Sequence, residues 1–152
     1  MNFDLAASLP LIKPLAIAWV KEQEAVIFAS GKGLNDYGLD LARRVGVLNA
    51  EKIRITFVTD LPRPTEPLLI QAMEKTGMLG PNMNGVTLGH GIYIRRSHDS
   101  IRLQTHEFRH VHQYETAGSI ALYIPKYLEQ ILQFGYWDAP FEVDARNHEI
   151  VA

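Results

Sequence analysis

The spacing of apolar residues along the chain predicts a protein that is mostly helical. In most segments apolar side chains recur every three to four residues, as they do on helices that bury one face. Glycine or proline stands near many of the segment boundaries, where helices commonly begin or end. The helices predicted in this way span residues 11–30, 34–45, 65–76, the stretch between positions 97 and 118, 120–134 and 141–151.

Two shorter segments follow the period of a β-strand instead. Residues 52–59 and 86–96 alternate apolar with polar side chains, which is typical of half-buried strands. Gly89 and Gly91 in the second segment indicate a bulge or a close approach of another backbone. This second strand could also lie at the edge of the sheet and pair with an extended peptide.

Length and composition favour one domain that contains both kinds of element. The chain has 152 residues, of which 47% are hydrophobic and 21% charged, and this is enough for a single hydrophobic core. We therefore predict an α+β fold, mostly helical with a small β-sheet, in one domain over residues 1–152. No internal repeat divides the chain.

Charge and cysteine usage exclude several classes of function. The formal net charge of -2 provides no broad basic face, so we expect no nucleic-acid partner. No apolar run approaches the roughly 20 residues of a membrane span, and no basic segment precedes the first apolar run as in a signal peptide. We therefore expect a cytoplasmic protein without a membrane partner. The absence of cysteine means that any metal must be held by histidine and carboxylate side chains.

One helical segment contains a metal-binding pattern. His106, Glu107 and His110 form H-E-x-x-H, and residues four apart on an α-helix lie only about 40° apart around its axis. Both imidazoles can therefore reach one metal ion, with Glu107 beside it. Catalytic zinc takes three protein ligands and a water, and a nearby carboxylate can accept a proton from that water.

The third ligand must come from another element, and Glu142 fits this role better than its neighbours. It lies in the first turn of the last predicted helix, and one intervening antiparallel helix would return the chain alongside the first two ligands. Glu115 and His112 lie on the wrong sides of the metal-binding helix. The weaker substitutes for Glu142 are Asp144, His148 and Glu149.

These segments resemble the zincin metallopeptidases, specifically the gluzincin group, in which a glutamate on a later helix completes the H-E-x-x-H site. Residues 106–113 are similar to the H-E-x-x-H-x-x-Q of small bacterial zincin-like domains, and residues 140–145 to their later glutamate segment. The resemblance implies a minimal zincin-like domain that binds Zn²⁺ through His106, His110 and Glu142, with Glu107 as the general base. Its substrate would be a peptide or a protein.

One position departs from the gluzincin pattern. Several gluzincins have an acidic residue four positions after the ligand glutamate, whereas this chain has Arg146 there. An arginine on the same helix face as Glu142 could stabilise a developing oxyanion, which makes Arg146 a second candidate catalytic residue. A simple ion pair between the two side chains is the equal alternative.

Two functions are compatible with this set of residues. The first is a zinc-dependent peptidase in which Glu107 activates a water molecule. The second is a metal-stabilised binding or regulatory domain without proteolysis, whose site would be closed by a fourth protein ligand such as His112 or His148. The number of protein ligands around the metal distinguishes the two.

Overall fold

The computed structural model describes residues 3–151, and this part of the chain folds into six α-helices and a four-stranded mixed sheet. The α+β class is therefore confirmed. Residues 1, 2 and 152 of the predicted single domain lie outside the described range. The elements are α1 (Leu5–Ser30), β1 (Lys32–Gly33), α2 (Asp36–Arg44), β2 (Arg54–Val58), α3 (Pro67–Thr76), β3 (Gly85–Leu88), β4 (Gly91–Arg95), α4 (Ile101–Ala117), α5 (Ile120–Phe134) and α6 (Pro140–Asn147).

The sheet has the strand order β1-β2-β4-β3. The two central strands run parallel, with Ile55 opposite Ile92, and each edge strand is antiparallel to its neighbour. Parallel strands need a crossover between them, and α3 and the edge strand β3 lie in that connection. Because β3 is the last strand in this order, it forms one edge of the sheet.

The prediction of one strand over residues 86–96 was wrong, because this segment is a hairpin. Leu88 pairs with Gly91, and Gly89 and His90 form the two-residue turn between β3 and β4. Gly89 has a φ of +74°, which a tight hairpin turn needs at its first central position and which glycine adopts without strain. At Gly91 the group that comes close is a side chain and not the predicted backbone, because a Cβ there would lie 2.9 Å from the side chain of Ile27 on α1.

Two predicted helix boundaries also differ from the structure. The first helix begins at Leu5 and not at residue 11, because the side chain of Asp4 accepts a hydrogen bond from the backbone N–H of Ala7 and caps it. The last helix ends at Asn147 and not at residue 151. The backbone N–H of Ile150 donates to Thr105 on α4, so a tertiary contact replaces the last helical turn.

The sheet lies between two apolar layers. Tyr93 on β4 faces a cluster built mainly from α1, α3 and α5, whereas Ile92 and Ile94 face a cluster built from α2 and α4. The helix α4 takes part in both, since Phe108 belongs to the second cluster and Tyr114 to the first. The helix therefore packs into both apolar layers. Within residues 3–151, no helix combines the length and the apolar composition that crossing a bilayer requires.

Candidate metal centre

The helix α4 is defined by capping residues at both ends. The side chain of Ser100 accepts a hydrogen bond from the backbone N–H of Leu103, and Gly118 ends the helix in the left-handed conformation. His106, Glu107 and His110 lie in the middle of this helix, away from both of its ends. The helical spacing predicted for the two histidines is therefore present.

The structure brings Glu142 to the two histidines. Oε1 of Glu142 lies 3.2 Å from Nε2 of His106, and Oε2 lies 3.2 Å from Nε2 of His110. One potential ligand atom from each of the three side chains lies within 4.8 Å of the others. Ligands of a tetrahedral zinc at 2.0–2.1 Å are about 3.3 Å apart, which is close to the distance from Glu142 to each imidazole.

The outer nitrogen of each imidazole is held by an acceptor. Nδ1 of His106 donates to Oε2 of Glu149 over 2.8 Å, and Nδ1 of His110 donates to Oε1 of Gln113 over 2.8 Å. A carboxylate and an amide oxygen can only accept, so Nδ1 must carry the proton in both rings. When each ring is neutral, its Nε2 lone pair is therefore free for a metal, as in histidine ligands oriented by an outer partner.

The orientation of the Gln113 amide is itself determined by its neighbours. Its Nε2 donates to the backbone carbonyl of Phe141 and to the carboxylate of Asp144, both 2.9 Å away. Its oxygen also accepts from the hydroxyl of Tyr123. Because the amide nitrogen is bonded to these two acceptors, the amide oxygen is the group that faces His110. The segment that contains Glu142 is thus tied to α4 through Gln113.

The third ligand is oriented in the same way by a tyrosine. The hydroxyl of Tyr127 on α5 donates to Oε2 of Glu142 over 2.7 Å, and Glu142 is only 3% exposed. Both tyrosines of α5, Tyr123 and Tyr127, are buried, and both make polar contacts around the site. Burial and the hydrogen bond from Tyr127 restrict the Glu142 side chain to one orientation. This lowers the conformational entropy that the side chain loses when a metal ion binds.

Sequence reasoning did not identify all of these supporting residues. Gln113 lies three positions after His110, so the helical period already places it beside that ring. Glu149 was considered only as a substitute ligand, and nothing in its spacing indicates that it contacts Nδ1 of His106. The contact between Glu149 and His106 forms because α6 ends at Asn147 and Glu149 lies in the segment after it.

Without a metal, the carboxylate of Glu142 forms buried ion pairs with His106 and His110. Burial alone lowers the pKa of His110, but the charge of Glu142 and its hydrogen bond outweigh burial and raise the pKa to about 9. The same balance raises the pKa of His106. Burial raises the pKa of Glu142, but the two imidazoles outweigh that effect and hold the pKa well below its ordinary value. Protons therefore compete directly with a metal ion for both rings.

We expect zinc affinity to rise steeply with pH between about pH 6 and 8. His110, with its pKa raised to about 9, is protonated across this range and must lose its proton before Nε2 can bind zinc. Each displaced proton changes the apparent affinity about tenfold per pH unit. Competition with a chelator of known affinity at several pH values measures this slope. Calorimetry in buffers of different ionisation enthalpy counts the released protons, and release of none would contradict the assignment.

Glu149 can be tested as an outer partner of the metal site. We expect Glu149→Ala to weaken zinc binding by about 10- to 100-fold, because His106 loses the acceptor that orients its ring. The fold should be kept, since Glu149 lies beyond the end of α6. Glu22→Ala is the matched control because Glu22 is exposed on α1. Chelator competition measures both variants, and equal affinities would show that Glu149 does not support the site.

Glu107 lies beside the three ligands but is held by a different element. Its Oε1 accepts a hydrogen bond from Oγ1 of Thr87 on the edge strand β3 over 2.8 Å. A Cβ at Gly85 would lie 3.2 Å from the Glu107 carboxylate, so the glycine leaves room for that group. Glu107 lines the same cavity as His110 and Glu142. The carboxylate is therefore within the cavity that the metal site borders and is not one of the three grouped ligands.

The structure gives Arg146 a partner other than Glu142. Its Nη2 donates to the backbone carbonyl of Trp137 over 2.6 Å, and its guanidinium lies 3.9 Å from the centre of the Trp137 ring. Within residues 3–151 no ion pair joins Arg146 to Glu142, so the alternative of a helical pair was wrong. The oxyanion role of Arg146 stays a prediction, and the guanidinium would have to leave Trp137 to perform it.

Three other candidate ligands, His112, His148 and Asp144, are bonded to groups other than the three clustered ligands. Nδ1 of His112 contacts the carbonyl of Gly46, and Nδ1 of His148 contacts the carbonyl of Asp144. Asp144 itself is paired with Arg109. The cluster in the described part of the chain therefore consists of the three predicted ligands.

Comparisons of the chain with protein-family models, with curated proteins and with solved structures find no match. The function is therefore inferred from the geometry of the site.

Proposed function

We propose that this protein is a zinc-dependent hydrolase of the zincin type that cleaves a peptide bond. The observation that carries the proposal is the cluster of His106, His110 and Glu142, whose potential ligand atoms lie within 4.8 Å of one another while Glu107 lines the adjoining cavity. Zinc in this site would polarise the carbonyl of the substrate and lower the pKa of a bound water toward about 7.

Glu107 is the general base of the proposed reaction. Its carboxylate takes the proton of the attacking water and delivers it to the leaving amine, so that one group serves both halves of the reaction. The hydrogen bond from Thr87 engages one carboxylate oxygen and leaves the other for the water. Since Thr87 belongs to β3, the sheet edge positions the base relative to α4.

The same strand supports binding of an extended substrate. The strand β3 lies at the sheet edge and borders the cavity through Gly85, Val86, Thr87 and Leu88. An extended peptide can add to a sheet edge through main-chain hydrogen bonds, and at β3 it would replace the hydrogen bond that the Tyr114 hydroxyl donates to the carbonyl of Thr87 and lie next to Glu107. The backbone of the substrate is therefore expected to follow β3.

An open coordination position favours a hydrolase over a purely structural metal site. A structural zinc is closed by four protein ligands, whereas a catalytic zinc keeps one position for water. His112 and His148, which could have closed the site, are bonded elsewhere, and the described residues bring three ligands together. Two of the three ligands, His110 and Glu142, line the same cavity as Glu107.

The proposal is tested by removing and restoring the metal. We expect the purified protein to hold about one zinc and to cleave an unstructured protein substrate. A chelator should abolish cleavage, and added zinc should restore it. Elemental analysis that finds no metal after reconstitution with zinc at neutral pH would overturn the site itself. Bound zinc without cleavage across a broad peptide library would instead favour the binding-domain alternative.

A further inference from the structure

One tyrosine hydroxyl in the apolar cavity beside the metal site has no acceptor. Four tyrosines line this cavity, and the hydroxyls of three of them donate to Thr87, Gln113 and Glu142. Within residues 3–151, no hydrogen bond joins the hydroxyl of the fourth, Tyr136, to another residue. Most tyrosine hydroxyls in a protein interior have a partner. The donor of Tyr136 is therefore free for a ligand in the cavity.

The Tyr136 hydroxyl is also accessible. Tyr136 is half-buried in the turn that joins α5 to α6. In the described part of the chain, the unpaired side-chain atoms that are sealed from solvent are Oγ1 of Thr56 and Nε of Arg95. The hydroxyl of Tyr136 is not among them, so it is an available donor and not a trapped polar group.

The surroundings of Tyr136 keep its hydroxyl protonated. Burial raises the pKa of this hydroxyl, and the charges of Glu142 and Glu107 raise it further, while Arg146 partly opposes them. Both carboxylates line the same cavity as Tyr136. Tyr136 therefore provides a neutral hydrogen-bond donor on the side of the cavity where the ligand Glu142 and the base Glu107 lie.

We propose that Tyr136 is a catalytic residue and that its hydroxyl donates a hydrogen bond to the oxygen of the carbonyl under attack. The proposal rests on the hydrolase function above. When water adds to the carbonyl carbon, Glu107 takes a proton from the water and an electron pair of the C=O bond moves to the oxygen, which becomes negatively charged. The pair returns when the C–N bond breaks, and Glu107 delivers the proton to the amine. Tyr136 keeps its own proton throughout.

Arg146 is the other candidate for this role, but its contacts oppose it. Its guanidinium is bonded to the carbonyl of Trp137 and stacked on the ring of that residue, and Arg146 does not line the cavity. The hydroxyl of Tyr136 has no bond to break before it can act. A donor that is already in place costs no reorganisation during the reaction. We therefore expect substitution of Tyr136, and not of Arg146, to remove the stabilisation of the oxyanion.

The first test removes the donor and keeps the ring. We expect Tyr136→Phe to lower kcat by about 10²- to 10³-fold, the usual effect of losing one such donor, with little change in KM. Zinc affinity and melting temperature should stay at their wild-type values, because the hydroxyl has no partner in the folded protein. Tyr37→Phe is the matched control, because Tyr37 is exposed on α2.

Three results would overturn the assignment of Tyr136. The first is an unchanged kcat in Tyr136→Phe. The second is a loss of zinc affinity as large as the loss of kcat, which would make Tyr136 a support of the metal. The third is a loss of kcat in Arg146→Ala that exceeds the loss in Tyr136→Phe.

The second test does not depend on turnover. N-phosphoryl-leucinamide carries a tetrahedral, negatively charged group like that of the intermediate, whereas N-acetyl-leucinamide carries a planar, neutral carbonyl. Calorimetry on the zinc-loaded proteins should show that Tyr136→Phe binds the first compound about 10²-fold more weakly than wild type and binds the second equally well.

This measurement separates the role of Tyr136 from the hydrolase itself. Equal affinity of variant and wild type for N-phosphoryl-leucinamide would reject Tyr136 as the donor, even in a protein that cleaves peptides. Weaker binding of that compound by Tyr136→Phe, in a protein that cleaves no peptide, would keep the donor and reject the peptidase.

Discussion

Replacing Glu107 with glutamine is expected to abolish hydrolysis and to leave zinc binding almost unchanged. The amide has the shape of the carboxylate and can still accept the hydrogen bond from Thr87, but it cannot take a proton from water. General acid–base participation contributes about 10² to 10⁴ in rate, so cleavage should fall by at least that factor. Zinc content should persist because Glu107 is not among the three clustered ligands.

The measurement compares metal stoichiometry and cleavage of an unstructured protein substrate in wild type and variant. Chelator-treated wild type is the blank, and Glu129→Gln is the matched variant because Glu129 is exposed on α5. Loss of zinc together with activity would move Glu107 into the coordination sphere. An active Glu107→Gln variant would rule out Glu107 as the base.

Replacing Glu142 with alanine should cause the largest loss of zinc affinity among the acidic residues of α6 and the segment that follows it. Loss of an outer partner already costs about 10- to 100-fold, so loss of a direct ligand should exceed 100-fold. The buried hydroxyl of Tyr127 also loses its acceptor, and an unsatisfied buried donor costs about 1–3 kcal/mol. The free energy of unfolding of the metal-free protein should fall by at least that amount, because His106 and His110 also lose their buried carboxylate partner.

The Glu142 variant is compared with changes at the alternative ligands. Asp144→Ala and Glu149→Ala should weaken zinc binding less than Glu142→Ala, since Asp144 supports Gln113 and Glu149 supports His106. Chelator competition gives the affinities, and urea unfolding of the metal-free proteins gives the stabilities. Equal losses in all three would discredit Glu142 as the ligand. A larger loss in His148→Ala would indicate a site of three histidines.

The polar contacts around the site show where sequence reasoning stops. The partner of Arg146 could not be predicted, because the ring and carbonyl of Trp137 reach it only through the turn before α6. Glu149 is a similar case, since it contacts His106 from a segment that was predicted to be helical. A periodic pattern describes one element at a time, and both contacts join different elements.

The sequence by itself determined the helices and the first half of the site, but not the strand β1 or the hairpin of β3 and β4. Helical geometry places His106 and His110 on one face whatever the rest of the chain does, and cap residues such as Ser100 and Gly118 define where α4 begins and ends. The period of the apolar residues likewise predicted most helices, because burial of one face is a local requirement.

Only the tertiary structure decided which other groups meet those histidines. The return of α5 and α6 brings Glu142 to within 3.2 Å of both Nε2 atoms, and the hairpin at Gly89 places β3 at the sheet edge beside Glu107. The apolar cavity also arises between α1, α3, β3 and α5, none of which encloses it alone. These features depend on packing between segments distant in the chain, and the spacing of residues within a segment carries no information about such contacts.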